Sequence, residues 1–283
     1  MTRESRVQEH KGEKRMKDRV AIDLKDGVAD VRMIRADKMN ALDQAMFDGL
    51  IEAGEKLAAM KGLRAVVLSG EGRAFCAGLD MGRFEDMKTK GEAILGLRDL
   101  SARTNGPANR PQWAAWLWRE LPVPVIAAVH GVAFGGGLQV ALGADMRYAT
   151  PDVKMSVMEI RWGLVPDVAG TQLMRHLARE DIVRELTYTG RVFSGEEAFS
   201  YGLVTRVCAD PRAAALETAR EIAGKNPHAV RAAKRLLNLA VATDAKTGLT
   251  AESVEQLKLI GSPNQVEAVR AQMEKRAPNF TEA

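Results

Sequence analysis

The sequence is poor in the residues that hold disulfides and most metals. It has two cysteines, Cys76 and Cys208, far apart and outside any CxxC or Cys/His pattern. That spacing gives no support to a disulfide framework or a zinc site, and makes a reducing cytoplasm the default compartment. The four histidines, His10, His130, His176 and His228, are scattered and no HExxH occurs. GxxxxGK[ST], GxSxG and SxxK are also missing, so nucleotide hydrolysis, serine hydrolysis and zinc chemistry lose their usual sequence support. No repeat of fixed period is visible. There is no uninterrupted membrane-length run: the longest apolar region, residues 123–144, is broken by five glycines and His130 and opens between Pro122 and Pro124. It reads as a buried strand, a turn and a helix start.

What remains is a chain of 283 residues, 46% hydrophobic and 28% charged, long enough to bury a large core. The formal net charge of +4 is unevenly placed, since residues 1–19 carry seven Lys/Arg against four Asp/Glu. This segment shows no apolar periodicity and no hydrophobic stretch of a secretory signal, and Met16 is an alternative start. Residues 1–18 are expected to be a solvated basic tail, with nucleic-acid binding as the disfavoured alternative.

Residues 28–34 read as a short strand, and residues 41–59 as an amphipathic helix with Leu42, Met46, Leu50, Ala53 and Leu57 on one face. Residues 65–68 and 125–129 read as fully buried strands. Residues 138–144 are predicted helical, and residues 146–149 and 154–157 are short strands. This alternation points to an α/β layered fold with largely parallel pairing over residues 19–210. Beyond residue 211 the pattern is helical only, at 212–224, 227–243 and 253–260, so residues 211–283 are expected to form a helical subdomain that covers the core or packs on another subunit. Trp113, Trp116 and Trp118 crowd one segment, read either as core or as an apolar wall for an acyl chain.

Two stretches of small residues, Cys76-Ala77-Gly78-Leu79-Asp80 and Gly135-Gly136-Gly137, offer unhindered backbone N–H groups of the kind that stabilise a developing oxyanion. A dinucleotide turn is disfavoured, because Leu138-Gln139-Val140 breaks the GxGxxG spacing. Two acids follow, Glu159 and Asp167. Glu159 is also placed to pair with Arg161, and Asp167 to cap a helix at Val168-Ala169-Gly170-Thr171. Cys76 lacks a recognisable base and reads as a packed small residue, His130 as structural, and Asp145 with Arg147 as support for the turn beneath the site.

Taken in order, several segments resemble the crotonase, or enoyl-CoA hydratase/isomerase, superfamily. They are Lys38-Met39-Asn40-Ala41-Leu42, Ala74-Phe75-Cys76-Ala77-Gly78-Leu79-Asp80, Pro122-Val123-Pro124-Val125-Ile126-Ala127-Ala128-Val129-His130-Gly131, Phe134-Gly135-Gly136-Gly137-Leu138-Gln139, Ala144-Asp145-Met146-Arg147, residues 159–172 and Ala198-Phe199-Ser200-Tyr201-Gly202-Leu203-Val204. The resemblance implies a spiral of ββα-type turns with a helical C-terminal trimerisation region. It also implies an acyl-CoA thioester substrate, with coenzyme A arriving as part of that substrate and no resident cofactor or metal. By matching position, the N–H groups of Leu79 and Gly136 form the oxyanion hole, and Lys38, Met39, Ala41, Ala77, Asp80 and Gly135 lie near the CoA moiety or the thioester.

The family's hydratases carry two glutamates, and here Gln139 stands at the first of those positions while Glu159 fills the second. An amide has neither a basic lone pair of useful pKa nor an acidic proton. The pairing of Glu159 with Asp167 resembles the dienoyl-CoA isomerase branch, although that branch also carries an acid where this chain has Gln139. The expectation is therefore double-bond isomerisation of an unsaturated acyl-CoA by Glu159 and Asp167, as a homotrimer or a dimer of trimers. Hydration of a 2-enoyl-CoA, with Gln139 positioning water, is the alternative. A non-catalytic scaffold binding acyl-CoA or RNA is the alternative of another class.

Overall fold

The computed structural model describes residues 14–82 and 99–282. Its strands are β1 Lys14–Met16, β2 Val20–Lys25, β3 Val28–Met33, β4 Ala65–Gly70, β5 Val125–Val129, β6 Val132–Phe134, β7 Met146–Ala149, β8 Lys154–Ser156 and β9 Arg206–Val207. The α-helices of the described residues are α1 Gln44–Ala58, α2 Arg110–Glu120, α3 Gly136–Leu142, α4 Gly170–Met174, α5 Glu180–Thr189, α6 Gly195–Ser200, α7 Pro211–Ala223, α8 Pro227–Ala240, α9 Ala245–Leu259 and α10 Pro263–Met273.

Among the described residues, seven strands form one sheet in the order β1-β2-β3-β4-β5-β7-β9, and β6 pairs with β8 in a second, two-stranded sheet. From β3 to β9 every pairing in the large sheet is parallel; the β1-β2-β3 edge is antiparallel. Strands β4 and β5 are buried at every position, as largely apolar strands covered on both faces require. One face packs on α1, α2 and α3 around Phe47, Leu50, Leu68, Phe75 and Trp118. The other packs on α7, where Ala215 and Ala219 meet Val67, Ile126 and Tyr148. The expected α/β layering with a helical C-terminal part is what forms. No helix among the described residues is long and apolar enough to cross a membrane.

Three boundaries differ from the sequence expectation. Lys14–Met16, assigned to the tail, is a strand paired with Val20–Ile22, and Met16 is fully buried. The rest of the tail, residues 1–13, lies outside the described residues. Helix α1 begins at Gln44, because the Asp43 side chain accepts from Met46 N–H as an N-cap and Leu42 is drawn into a bridge with Leu79. Past residue 240, α9 starts well before its apolar pattern becomes visible, and α10, capped by Ser262, follows unforeseen.

Three buried polar side chains lock the core to its surroundings. Asn40 is fully buried and donates to the carbonyls of Glu71 and Ala74 while accepting from Arg35 N–H. Lys234 on α8 donates to the carbonyls of Trp118 and Val123 and pairs with Asp145, which also accepts from Val125 N–H. Arg147 donates to the carbonyls of Leu203, Ala144 and Leu142, closing the C-terminal end of α3. Asp145 and Arg147 thus support the region beneath the site separately, rather than as one pair. Burial draws the Arg147 guanidinium down to about 10, which still leaves it a cation at neutral pH.

Candidate active site

The two small-residue segments meet because the chain pairs them. Cys76 N–H donates to Val132 O and Phe134 N–H to Cys76 O, so the 76–79 loop lies along β6 just before α3 begins. Leu42 N–H donates to Gly78 O, and Asp80 N–H donates to Leu42 O. In such a parallel bridge the N–H of the intervening residue, Leu79, faces away from Leu42. No backbone hydrogen bond from Leu79 N–H or Gly136 N–H is found among the described residues, and both residues line one pocket that opens to solvent. Gly135 N–H, by contrast, is spent on Ser156 O.

The pocket wall includes Glu159, Asp167, Ala77, Gly135, Gly136 and Leu79 from the sequence reading. It also includes Leu42, Phe47, Met81, Phe134, Met158, Trp162, Leu164 and Val168. The acyl-wall alternative for Trp113, Trp116 and Trp118 does not hold. Trp118 is fully buried with its indole N–H on Ala114 O, and the other two pack against the core. The tryptophan at the pocket is Trp162, half-exposed, on a 3₁₀ turn that begins with Glu159.

Glu159 carries one bonded and one unbonded oxygen. Gln139 Nε2 donates to Oε1 at 2.6 Å, and buried Oε2 has no partner among the described residues. Burial raises the Glu159 carboxyl above the ordinary carboxylate range and the nearby Asp167 charge adds to the rise, against the opposing hydrogen bonds from Glu159's own N–H and from Gln139. Burial likewise raises Asp167. No Glu159–Arg161 ion pair is found among the described residues. Asp167 does not cap α4 either, whose N-cap is Ala169 at φ +64°.

Gln139 lies between Glu159 and the turn at residues 168–170. It is 1% exposed and does not line the pocket, and its amide oxygen accepts from Val168 N–H and Gly170 N–H, both at 2.8 Å. One Nε2 N–H thus goes to Glu159 and the amide oxygen to the 168–170 turn, so protein partners fix the orientation of the amide.

Of the remaining predicted positions, Met39 and Lys38 close a 3₁₀ turn, and Ala77 N–H donates to Met39 O. The Ala41 carbonyl accepts from Arg35. Arg35 also reaches Asp80 at 2.6 Å. Burial works to raise the Asp80 carboxyl, but the Gly82 N–H and Arg35 together outweigh it and hold the group low. Cys76 is fully buried, its thiol donates to Asn40 O, and burial pushes it up to about 12, so it is the packed residue expected. His130 Nε2 lies 3.0 Å from Gly72 O. No cluster of three His, Cys, Asp or Glu side chains suited to a metal occurs among the described residues.

Small residues with unhindered backbone N–H groups beside a buried carboxyl, on an apolar pocket wall, are an arrangement chemically able to stabilise an oxyanion and move a proton. The comparisons give that class its family. The family model for enoyl-CoA hydratase/isomerase matches residues 23–283, and the chain belongs to that family. It is 31% identical over 263 residues to the mitochondrial methylglutaconyl-CoA hydratase of Mus musculus, covering 90% of this chain and 79% of that protein. It is 32% identical over 269 residues to the mitochondrial Delta(3,5)-Delta(2,4)-dienoyl-CoA isomerase of the same organism, covering 88% and 77%. The fold matches the crystal structure of an enoyl-CoA hydratase from Bacillus anthracis with a TM-score of 0.83 at 29% identity, over 93% of this chain and 98% of that one. The architecture is the crotonase fold.

Proposed function

We propose that the protein isomerises the double bonds of an unsaturated acyl-CoA. The observation that carries this reading is the arrangement of acids. Glu159 and Asp167 both line the pocket, whereas Gln139 is turned away into the protein. Migration of a double bond needs a proton removed at one carbon and one delivered at another, with the intermediate dienolate held between. Two separate acids and one oxyanion hole meet that need.

In this scheme the thioester carbonyl accepts hydrogen bonds from Leu79 N–H and Gly136 N–H, which strengthen as charge develops on the oxygen. Glu159 Oε2 takes the proton from one carbon, and Asp167 serves the distant one. A carboxyl raised by burial suits both directions of transfer near neutral pH. Ala77 and Gly135 lie beside the thioester, and Lys38, Met39, Ala41 and Asp80 line the approach of the CoA moiety. A homotrimer, or a dimer of trimers, is proposed to cover the apolar side chains left open on α8 to α10, among them Leu237, Leu257 and Met273.

Hydration is the second reading, favoured by the similarity to a hydratase at 31% identity. Glu159 would then handle the proton transfer, and the second N–H of Gln139 Nε2 would be the donor that positions water. The deciding experiment offers 2-enoyl-CoA, 3-enoyl-CoA and 3,5-dienoyl-CoA in parallel to the wild type, Glu159→Ala and Asp167→Asn. Shifted double bonds without water addition, lost in Glu159→Ala and impaired in Asp167→Asn, support isomerisation. Robust hydration of 2-enoyl-CoA overturns it, and silence on all three substrates points to a different acyl group or a binding role.

A further inference from the structure

Gln139 is built into the site from three directions. Its amide oxygen takes two backbone N–H groups, from Val168 and Gly170, and its amide nitrogen donates to Glu159 Oε1. These partners fix the orientation of the amide, because the flipped form would aim N–H at two N–H donors and an oxygen at a carboxylate. The surrounding backbone is shaped to this bridge. A Cβ on Gly170 would lie 2.5 Å from Gln139 Oε1, and a Cβ on Gly135 would lie 3.0 Å from Glu159 Oε1. Between the two converging donors, Ala169 holds φ +64°, a conformation that alanine keeps only where its surroundings over-determine it.

We propose that Gln139 is a positioning residue. Its amide holds Glu159 by Oε1 so that Oε2 is the proton-exchanging oxygen, and it fixes through Val168 and Gly170 the turn that presents Asp167. This rests on the reading of Glu159 and Asp167 as the proton-handling acids. The two halves of the amide have different tasks. The acceptor half is replaceable by a carboxylate, but the donor half is not, because a carboxylate at 139 brings no proton to Glu159 unless the pair shares one.

The groups that face Glu159 sharpen the point. Gln139 from α3 is neutral, Gly135 adds only backbone, and Asp167 from the following turn is already an acid acting on it. A second acid at 139 would raise the cost of ionising Glu159 further. In the wild type the amide supplies a permanent N–H donor at every pH.

The test is a swap cycle in the full-length protein: Gln139→Glu, Glu159→Gln and the two combined. Stability is read by chemical denaturation across about pH 5 to 8. Variants that keep Glu159 are also read by the pH profiles of kcat and kcat/KM. Gln139→Glu is expected to lose stability, and to lose more as pH rises. Its introduced carboxyl has a folded pKa above the unfolded one, so its favourable contribution fades as pH climbs through the folded value. Its kcat falls on the order of 10- to 100-fold with KM little changed, as for a displaced base, and the acidic limb of the profile moves upward.

The combined variant is expected to regain stability, because the carboxylate at position 139 then accepts from the amide at 159 as well as from Val168 and Gly170. It thereby decides the matter even if Gln139→Glu alone does not fold. An unmoved limb with wild-type kcat in Gln139→Glu, or a swap that recovers no stability, overturns the proposal. So does water addition acquired by Gln139→Glu, which would place that carboxylate on the pocket wall. If the wild type acts on none of the three acyl-CoA types, the catalytic reading fails, while the stability cycle still reports on the bridge itself.

Discussion

At Glu159, burial and the neighbouring Asp167 oppose ionisation, hydrogen bonds from Gln139 and the backbone favour it, and burial wins. The acidic limb of kcat/KM is therefore expected above the ordinary carboxylate range, with activity rising as pH passes through it and Glu159 becomes the free base. Glu159→Ala should lower kcat by about 10²- to 10⁴-fold, the usual worth of a positioned acid or base. The same burial has a stability consequence. A carboxyl whose folded pKa is raised contributes stability at low pH that is lost as pH rises through the folded value. Asp167→Asn should thus lose activity, yet flatten the fall in stability with rising pH, as thermal melts across pH would show. At the two thiols, a maleimide should modify half-buried Cys208 and spare fully buried Cys76 in the native protein, and label both after unfolding. Labelling of native Cys76 would contradict its packing. Glu159 and Asp167 were legible as pocket residues because they are acids after a glycine turn, and Leu79 and Gly136 only through the family that the ordered segments resemble. Trp162, Met158 and Phe47 were not, since an apolar residue at a pocket and one in a core have the same sequence signature.

Helix α3 is the element on which the site turns. Its first residue, Gly136, lines the pocket, its seven residues carry no charge, and Arg147 closes its far end through the carbonyls of Leu142 and Ala144. Backbone N–H at the start and a buried cation at the end both follow the helix dipole. The hold on the strand beneath it comes from α8. Replacing Lys234 by Ala leaves Asp145 and the carbonyls of Trp118 and Val123 without their shared donor, and should cost about 3 kcal/mol in chemical denaturation; a change near zero would show that water replaces the ammonium. Strands β4 and β5 and helix α1 could be read from their apolar periodicity, but the start of α1 could not. It depends on Asp43 as a cap and on Leu42 pairing with Leu79, a contact between residues distant in sequence. Helix α10 was missed because its buried positions, Asn264 and Ala271, include only one apolar residue.

For the whole molecule, the parallel strands from β3 to β9 and the α1–α3 layer place the 76–79 loop and the start of α3 on one wall. That convergence is a property of topology, and the ordered segments of the sequence foretold it through the family they resemble. The side chains exposed on α8, α9 and α10 are the surface expected to be buried by association, and sedimentation should give three or six times the 30.8 kDa chain mass. The central claim concerns chemistry, and one measurement addresses it most directly. The wild type is incubated with 3,5-dienoyl-CoA and, separately, with 2-enoyl-CoA in deuterated water, and the product masses and ultraviolet spectra are followed. Isomerisation by Glu159 and Asp167 requires from the 3,5-diene a 2,4-dienoyl product conjugated with the thioester carbonyl, deuterium entering at the carbons that exchange protons, and no gain of water on either substrate. A 2-enoyl-CoA product heavier by one water, with the diene untouched, would contradict it.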